Sequence, residues 1–206
     1  MKKIIFNDKY GLTEAVLEGR KTMTRRIARD KLWFKPGHSI DDRGRLLLLD
    51  GWQIVARSMY EINEDVAVAQ RYMDLRHCDA FYDALRKSDP SFPLECIRGE
   101  KGSENKMFVK PEWMPHRILI TDIKVEPLQD ISDEDALKEG VVKSNCKTYD
   151  NGYAYDWAYD QDGDILATRW FKSPKDAFAS LIDKISGNGT WESNPWVFAY
   201  TFELIK

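Results

Sequence analysis

Five large apolar residues stand at every second position near the C-terminus: Trp196, Phe198, Tyr200, Phe202 and Leu204. A period of two puts all five on one face of an extended strand. A second long segment, Arg117 to Val125, also alternates. Leu119, Thr121, Ile123 and Val125 are expected on one face, Ile118, Ile120, Asp122 and Lys124 on the other, with Pro127 ending the strand. Shorter strands are predicted at Lys2–Phe6 and Val66–Ala69. Leu46–Leu49 and Gln53–Arg57 flank Asp50-Gly51, a hairpin signal. Many strands and few, short helices define an α+β chain, and predict a curved β-barrel with short helices packed outside.

The helices carry clear end signals. Leu12 to Glu18 is predicted as a short helix with Leu12, Ala15 and Val16 inward and Gly19 as a left-handed stop. Ser132 with Asp135 forms a variant capping box for a helix that reaches Glu139 and stops at Gly140. Ser173-Pro174 opens the strongest helix, with Ala177, Phe178, Leu181, Ile182 and Ile185 as its apolar stripe and Gly187 at its end. Residues 28–44 read as a loop with a Pro36-Gly37 turn, and Asp79–Lys87 as a helix. Asp150-Asn151-Gly152 and Asp162-Gly163 read as turns.

Length sets the scale of the core. A chain of 206 residues with 43% hydrophobic and 12% aromatic residues can bury a core without disulfide or metal staples. Cys78, Cys96 and Cys146 are odd in number and widely spaced, which suggests reduced, cytoplasmic thiols. No segment has the length or composition of a membrane span. His38, His77 and His116 lack ligand-like spacing, so no metal site and no cofactor are expected.

The charge pattern points to function. Net charge is −3, which argues against sequence-blind coating of nucleic acid. Yet residues 20 to 35 hold seven cations (Arg20, Lys21, Arg25, Arg26, Arg29, Lys31, Lys35) against one anion, Asp30. Such a cluster on an acidic chain suggests a local anion site. Thr22 and Thr24 lie within it. A lysine whose charge is disfavoured by burial or by neighbouring cations can take the proton of a threonine hydroxyl and make it a nucleophile. The same residues also suit a solvated strand end. On a regular strand Lys21 and Thr24 point to opposite faces, so a shared site needs Lys21 ahead of the strand or a bulge between them. Glu139 ends its helix, where the macrodipole disfavours a carboxylate, a placement suited to an acid and equally to a frayed surface residue. Glu134 and Asp135 are accounted for by the helix N-terminus. Trp191 and Trp196, around Asn194-Pro195, suit either base stacking or core packing.

Four segments carry a resemblance. Gly19-Arg20-Lys21-Thr22-Met23-Thr24 after a short helix resembles the signature of ASCH domains, relatives of the PUA domain. Met114-Pro115-His116-Arg117-Ile118 leading into Thr121–Glu126, then Leu128–Ser132 with Asp135-Ala136 and Glu139-Gly140, then Trp191–Val197, resemble the larger ASCH-like proteins of phage and prophage gene sets. The resemblance implies one PUA-like domain over 1–206, with insertions at about 28–60 and 71–112 relative to the small members. It implies RNA, a nucleotide or a modified nucleoside as partner. Small bacterial ASCH proteins remove the acetyl group of N4-acetylcytidine. Their catalytic lysine, threonine and glutamate map onto Lys21, Thr24 and Glu139, which here must converge on one pocket. Arg20, Thr22, Arg25, Arg26 and Trp196 would bind substrate, with Arg26 a candidate for the oxyanion. Two readings follow: an amidohydrolase of acylated nucleosides or related amides, or a non-catalytic RNA- or nucleotide-binding module using the same basic cleft.

Overall fold

The computed structural model describes residues 1–29, 36–43, 45–144, 152–159, 165–167 and 169–205. Asp30, Lys31, Lys35, Cys146, the Asp150-Asn151 part of one turn and all of the Asp162-Gly163 turn lie outside these residues.

The chain opens with β1 (Lys2–Ile4) and α1 (Leu12–Leu17), followed by β2 (Met23–Arg29), β3 (Gly37–Ile40), β4 (Leu46–Asp50), β5 (Gln53–Arg57), β6 (Asp65–Val68) and α2 (Asp79–Ser88). Short 3-10 turns fill the stretch up to β7 (Arg117–Pro127) and α3 (Asp133–Lys138). Then come β8 (Val142–Lys143), β9 (Tyr153–Ala154), β10 (Trp157–Tyr159), β11 (Ile165–Ala167), α4 (Pro174–Ser186), α5 (Thr190–Ser193) and β12 (Trp196–Ile205). The class is α+β. No helix among the described residues is long and apolar enough to cross a membrane.

A five-stranded sheet, ordered β1-β6-β7-β12-β2, is the scaffold. Only β1 and β6 pair in parallel; the other neighbours are antiparallel. β3, β4 and β5 form an antiparallel meander. The predicted hairpin at Asp50-Gly51 is present, with Gly51 at φ 59°. The stretch expected to be loop is more ordered than its composition suggests: β2 runs to Arg29 and Gly37 begins β3. Leu46 and Leu48 of the meander, with Tyr60, pack into the main core beside Phe198, Tyr200 and Phe202.

β12 alternates as its sequence predicts, with Phe198, Tyr200 and Phe202 buried in that core. β7 departs from its predicted faces. Its register against β12 steps from Asp122 opposite Thr201 to Ile120 opposite Phe202, leaving Thr121 as the extra residue of a bulge. Ile118 and Ile120 therefore share the core face with Ile123, rather than lying opposite it. A period-two reading cannot show a break in the period.

Residues 71–112, with Trp113 just beyond them, build a second cluster in which Tyr72, Phe81, Leu85, Val109 and Trp113 pack against Ala67 and Ala69 at the end of β6. A third cluster joins α3 and α4 to β12 through Ala136, Phe178, Ile182 and Val197. Both helix N-termini are capped as expected: Ser132 Oγ accepts from Asp135 N and Ser173 Oγ from Asp176 N, each at 3.1 Å. Ile185 differs from the rest of its stripe, since it is exposed at the end of α4.

Candidate functional site

The Arg20–Arg26 segment leaves α1 through Gly19, at φ 75°, and three backbone bonds then hold it. Lys21 N donates to Ala15 O at 2.8 Å, and Thr22 N donates to Lys138 O at 2.9 Å. Thr22 O accepts from Phe202 N at 2.9 Å. The second bond joins the segment directly to the residue before Glu139, so backbone pairing sets the two site segments side by side. Lys21 lies two residues before β2 begins and is free of the strand's alternation. Standing ahead of the strand, Lys21 can share a site with Thr24 without a bulge between them.

Lys21 turns into the protein. Its Nζ donates to Glu139 Oε2 at 2.6 Å and to Glu139 O at 2.7 Å, and both side chains are almost fully buried. Gly140, at φ 102°, allows the chain to turn here. A Cβ on it would stand 3.3 Å from Leu12 Cδ2 and 3.7 Å from Lys21 Cδ. Burial pushes the Lys21 ammonium below its ordinary value of 10.5; Glu139 opposes that shift, while Arg26 and Arg25 add to it. Thr24 is also buried and lines the same cleft. Its hydroxyl makes no hydrogen bond among the described residues, and Lys21 Nζ is committed to Glu139 rather than to Thr24.

Arg25 departs from the substrate-binding role expected of it. Its side chain is 1% exposed and its guanidinium is committed to three carboxylates. Nη1 donates to Glu139 Oε1 at 3.1 Å; Nε and Nη2 donate to Glu126 Oε1 at 3.2 and 2.7 Å; Nη2 also reaches Asp135 Oδ2 at 3.3 Å. Arg25 thus holds the second Glu139 oxygen while Lys21 holds the first. Burial opposes its charge, but Glu139 and Glu126 outweigh that and hold the guanidinium above its ordinary value. Asp135, which the sequence assigns to helix capping alone, has this second contact. Glu126 was missed because nothing in a strand sequence marks which of its carboxylates faces a cation.

The cleft has a volume of about 460 Å³. Thr24, Arg25, Arg26 and Ile27 of β2, an edge strand of the sheet, line it together. Across the gap runs the segment that follows β1, the other edge of the sheet; Arg26 Nη2 donates to Ile5 O there at 2.7 Å. Phe6, Leu12, Met107, Phe178, Leu181 and Ile185 contribute apolar walls.

Three of the expected residues lie elsewhere. Arg20 pairs with Glu18 at 2.6 Å and stacks on Trp157, facing a separate polar pocket of about 340 Å³. Thr22 contributes its backbone bonds and does not line the cleft. Trp196 is half-buried at the start of β12 and packs against the main core. Three cations of the cluster, Arg20, Lys21 and Arg25, already have carboxylate partners, brought from positions far away in sequence or, for Arg20, two residues back; Arg26, which lines the cleft, forms no ion pair among the described residues. Among the described residues, no group of three His, Cys, Asp or Glu side chains is placed to hold a metal ion.

Comparison with protein-family models, curated proteins and solved structures returned no match. The functional reading therefore rests on the geometry of the site and on the motifs.

Proposed function

We propose that this chain is an ASCH-type amidohydrolase that cleaves an acylated nucleoside of the N4-acetylcytidine kind, or a related amide, with Thr24 as nucleophile, Lys21 as base and Glu139 as their partner. The observation that carries the reading is the meeting of these three residues, from two separate parts of the chain, at one cleft. The curl that brings the two edges of the sheet to the cleft fits a PUA-like barrel opened at that point, in one domain elaborated by 28–60 and 71–112. Cys78 and Cys96, both free thiols, fit a cytoplasmic setting.

In the proposed reaction neutral Lys21 takes the Thr24 Oγ proton as Oγ attacks the carbonyl carbon. The C–O bond forms and the carbonyl electrons move to oxygen, toward the Arg26 guanidinium. Collapse breaks the C–N bond, and the departing nitrogen receives the proton through the Lys21–Glu139 pair. A water then attacks the threonyl ester, giving one proton to the same pair; collapse breaks the ester C–O bond, the pair returns that proton to Thr24 Oγ, and the carboxylic acid departs. Lys21 must swing from Glu139 toward Thr24 for the first step, a tightening expected on substrate binding.

The binding-only alternative draws less support. A basic cleft for RNA needs unpaired cations, and two of the three cations lining this cleft are neutralised internally.

The reading is tested by incubating the protein with N4-acetylcytidine and following cytidine release. Thr24→Val and Lys21→Ala are expected to lower turnover by about 10²-fold or more. Equal turnover by Lys21→Ala, or none by the unaltered protein, rejects it for this substrate.

A further inference from the structure

The cleft is lopsided. Its polar side chains, apart from Ser186, come from β2, from Asn7, and from Lys21 and Glu139. One wall is the α4 stripe of Phe178, Leu181, Ile182 and Ile185, which offers no polar group before Ser186. Three exposed apolar side chains stand around the cleft: Ile27 at 43%, Met107 at 63% and Ile185 at 36% exposure. They come from β2, from the 71–112 segment and from α4, so no local sequence pattern groups them. Apolar surface gathered at a concave site is surface that a ligand can cover.

Met107 is held there firmly. Lys3 Nζ donates to Met107 O and Val109 O, each at 2.7 Å. The neighbouring Lys106 is buried; its Nζ donates to Thr13 Oγ1 at 2.7 Å and pairs with Asp8. Met107 N donates to Asn105 Oδ1 at 2.9 Å. The backbone is pinned on both sides of a side chain that is left in solvent. An unbranched thioether adapts its shape to whatever chain lies against it.

We infer that the cleft contains an acyl-chain subsite, bounded by α4 and Met107, that selects amides whose acyl group is longer than acetyl. The inference rests on the amidohydrolase reading and specifies its substrate. An amide in this cleft has two ends. The amine end, if a nucleoside, carries hydrogen-bonding edges that Arg26 and Asn7 can meet and the α4 stripe cannot. An unpaired polar edge against that stripe would be unfavourable. The acyl chain is the end that fits it. Met107 then acts as a specificity-determining residue supplied by the 71–112 segment.

The test uses N4-acylcytidines with acetyl, butanoyl and hexanoyl groups. Turnover by the unaltered protein is compared with calorimetric binding to the Thr24→Ala variant. Specificity kcat/KM and affinity are each expected to rise with chain length, up to about fourfold per buried methylene. Met107→Ala is expected to abolish most of that gain, with a loss on the hexanoyl substrate several-fold larger than on the acetyl one, and Met107→Leu to restore it. Because Met107 is exposed, both variants should fold, which thermal melts check. Acetyl turnover with no dependence on chain length in rate or affinity overturns the subsite and leaves the amidohydrolase reading standing. Affinity that rises with chain length without any cleavage upholds the subsite and rejects the hydrolase. Neither binding nor cleavage of any member rejects both.

Discussion

In the proposed reaction, Lys21 is the residue on which the chemistry turns. A surface lysine is charged at neutral pH and cannot accept a proton. Here burial is the largest influence, and with Arg26 and Arg25 it lowers the affinity of Lys21 for its proton despite the attraction of Glu139. The sign of the consequence follows. If the neutral amine is the active form, kcat/KM rises with pH through a midpoint below 10.5, the ordinary value. Between that depressed midpoint and 10.5 the unfolded chain holds the Lys21 proton while the folded one has released it. In that window the Lys21 contribution to folding stability also rises with pH. A pH profile of initial rates on the acetylated nucleoside checks the first statement. An unchanged limb in any residual activity of Lys21→Ala would assign the titration to another group. At this scale the sequence was informative about identity: the lysine, threonine and glutamate could be named from their motifs. It was silent about partners. Arg25, which looks like a substrate ligand in sequence, is buried against Glu126, Asp135 and Glu139, and only the fold brings those carboxylates to it.

At the scale of elements, two glycines do different work. Gly19 and Gly140 both adopt positive φ and both follow short helices. A side chain at Gly19 would meet nothing within 4 Å, whereas one at Gly140 would press on Leu12, 3.3 Å away, and touch Lys21 at ordinary contact distance. Gly19→Ala is therefore expected to cost roughly 1–2 kcal/mol of stability from its backbone alone and to leave the cleft intact. Gly140→Ala carries a backbone cost of about 1–3 kcal/mol beside Glu139 and crowds Leu12, which lines the cleft, so its activity should fall further than its stability predicts. Urea melts and single-substrate kinetics on the two variants separate the effects; equal activity in both would show that Gly140 serves only the turn. These stops were legible because glycine after a periodic helix has a local cause. The Thr121 bulge was not legible, because it depends on how β7 pairs with β12.

At the scale of the molecule, three apolar clusters share strands. Val66 and Val68 of β6 point into the main core while Ala67, between them, packs under residues 71–112. Val197 of β12 faces the α3–α4 cluster while Phe198 faces the main core. Clusters welded through alternate faces of one strand should not melt separately. The slowest amides of α2 and β12 are expected to exchange with solvent at the same global rate, in native-state hydrogen exchange followed by mass spectrometry. Markedly faster exchange across α2 would show that 71–112 opens as a separate unit. Read from its breakers alone, this stretch looks like an appendage. The structure makes it a wall of the cleft through Met107.

Local physics accounts for what the sequence determined by itself. Alternation specified β12, and caps and glycines specified the helix ends; Lys21, Thr24 and Glu139 were named as a set only through the resemblance of their motifs. These signals act over a few residues, and a few residues suffice to read them. The tertiary structure decided which charges meet. Three of the seven cations in the cluster, Arg20, Lys21 and Arg25, are paired with carboxylates, most of them 100 or more residues away, and the apolar mouth is assembled from positions 27, 107 and 185. Long-range pairing of this kind leaves no mark on local sequence, because each partner taken alone is an ordinary charged or apolar residue.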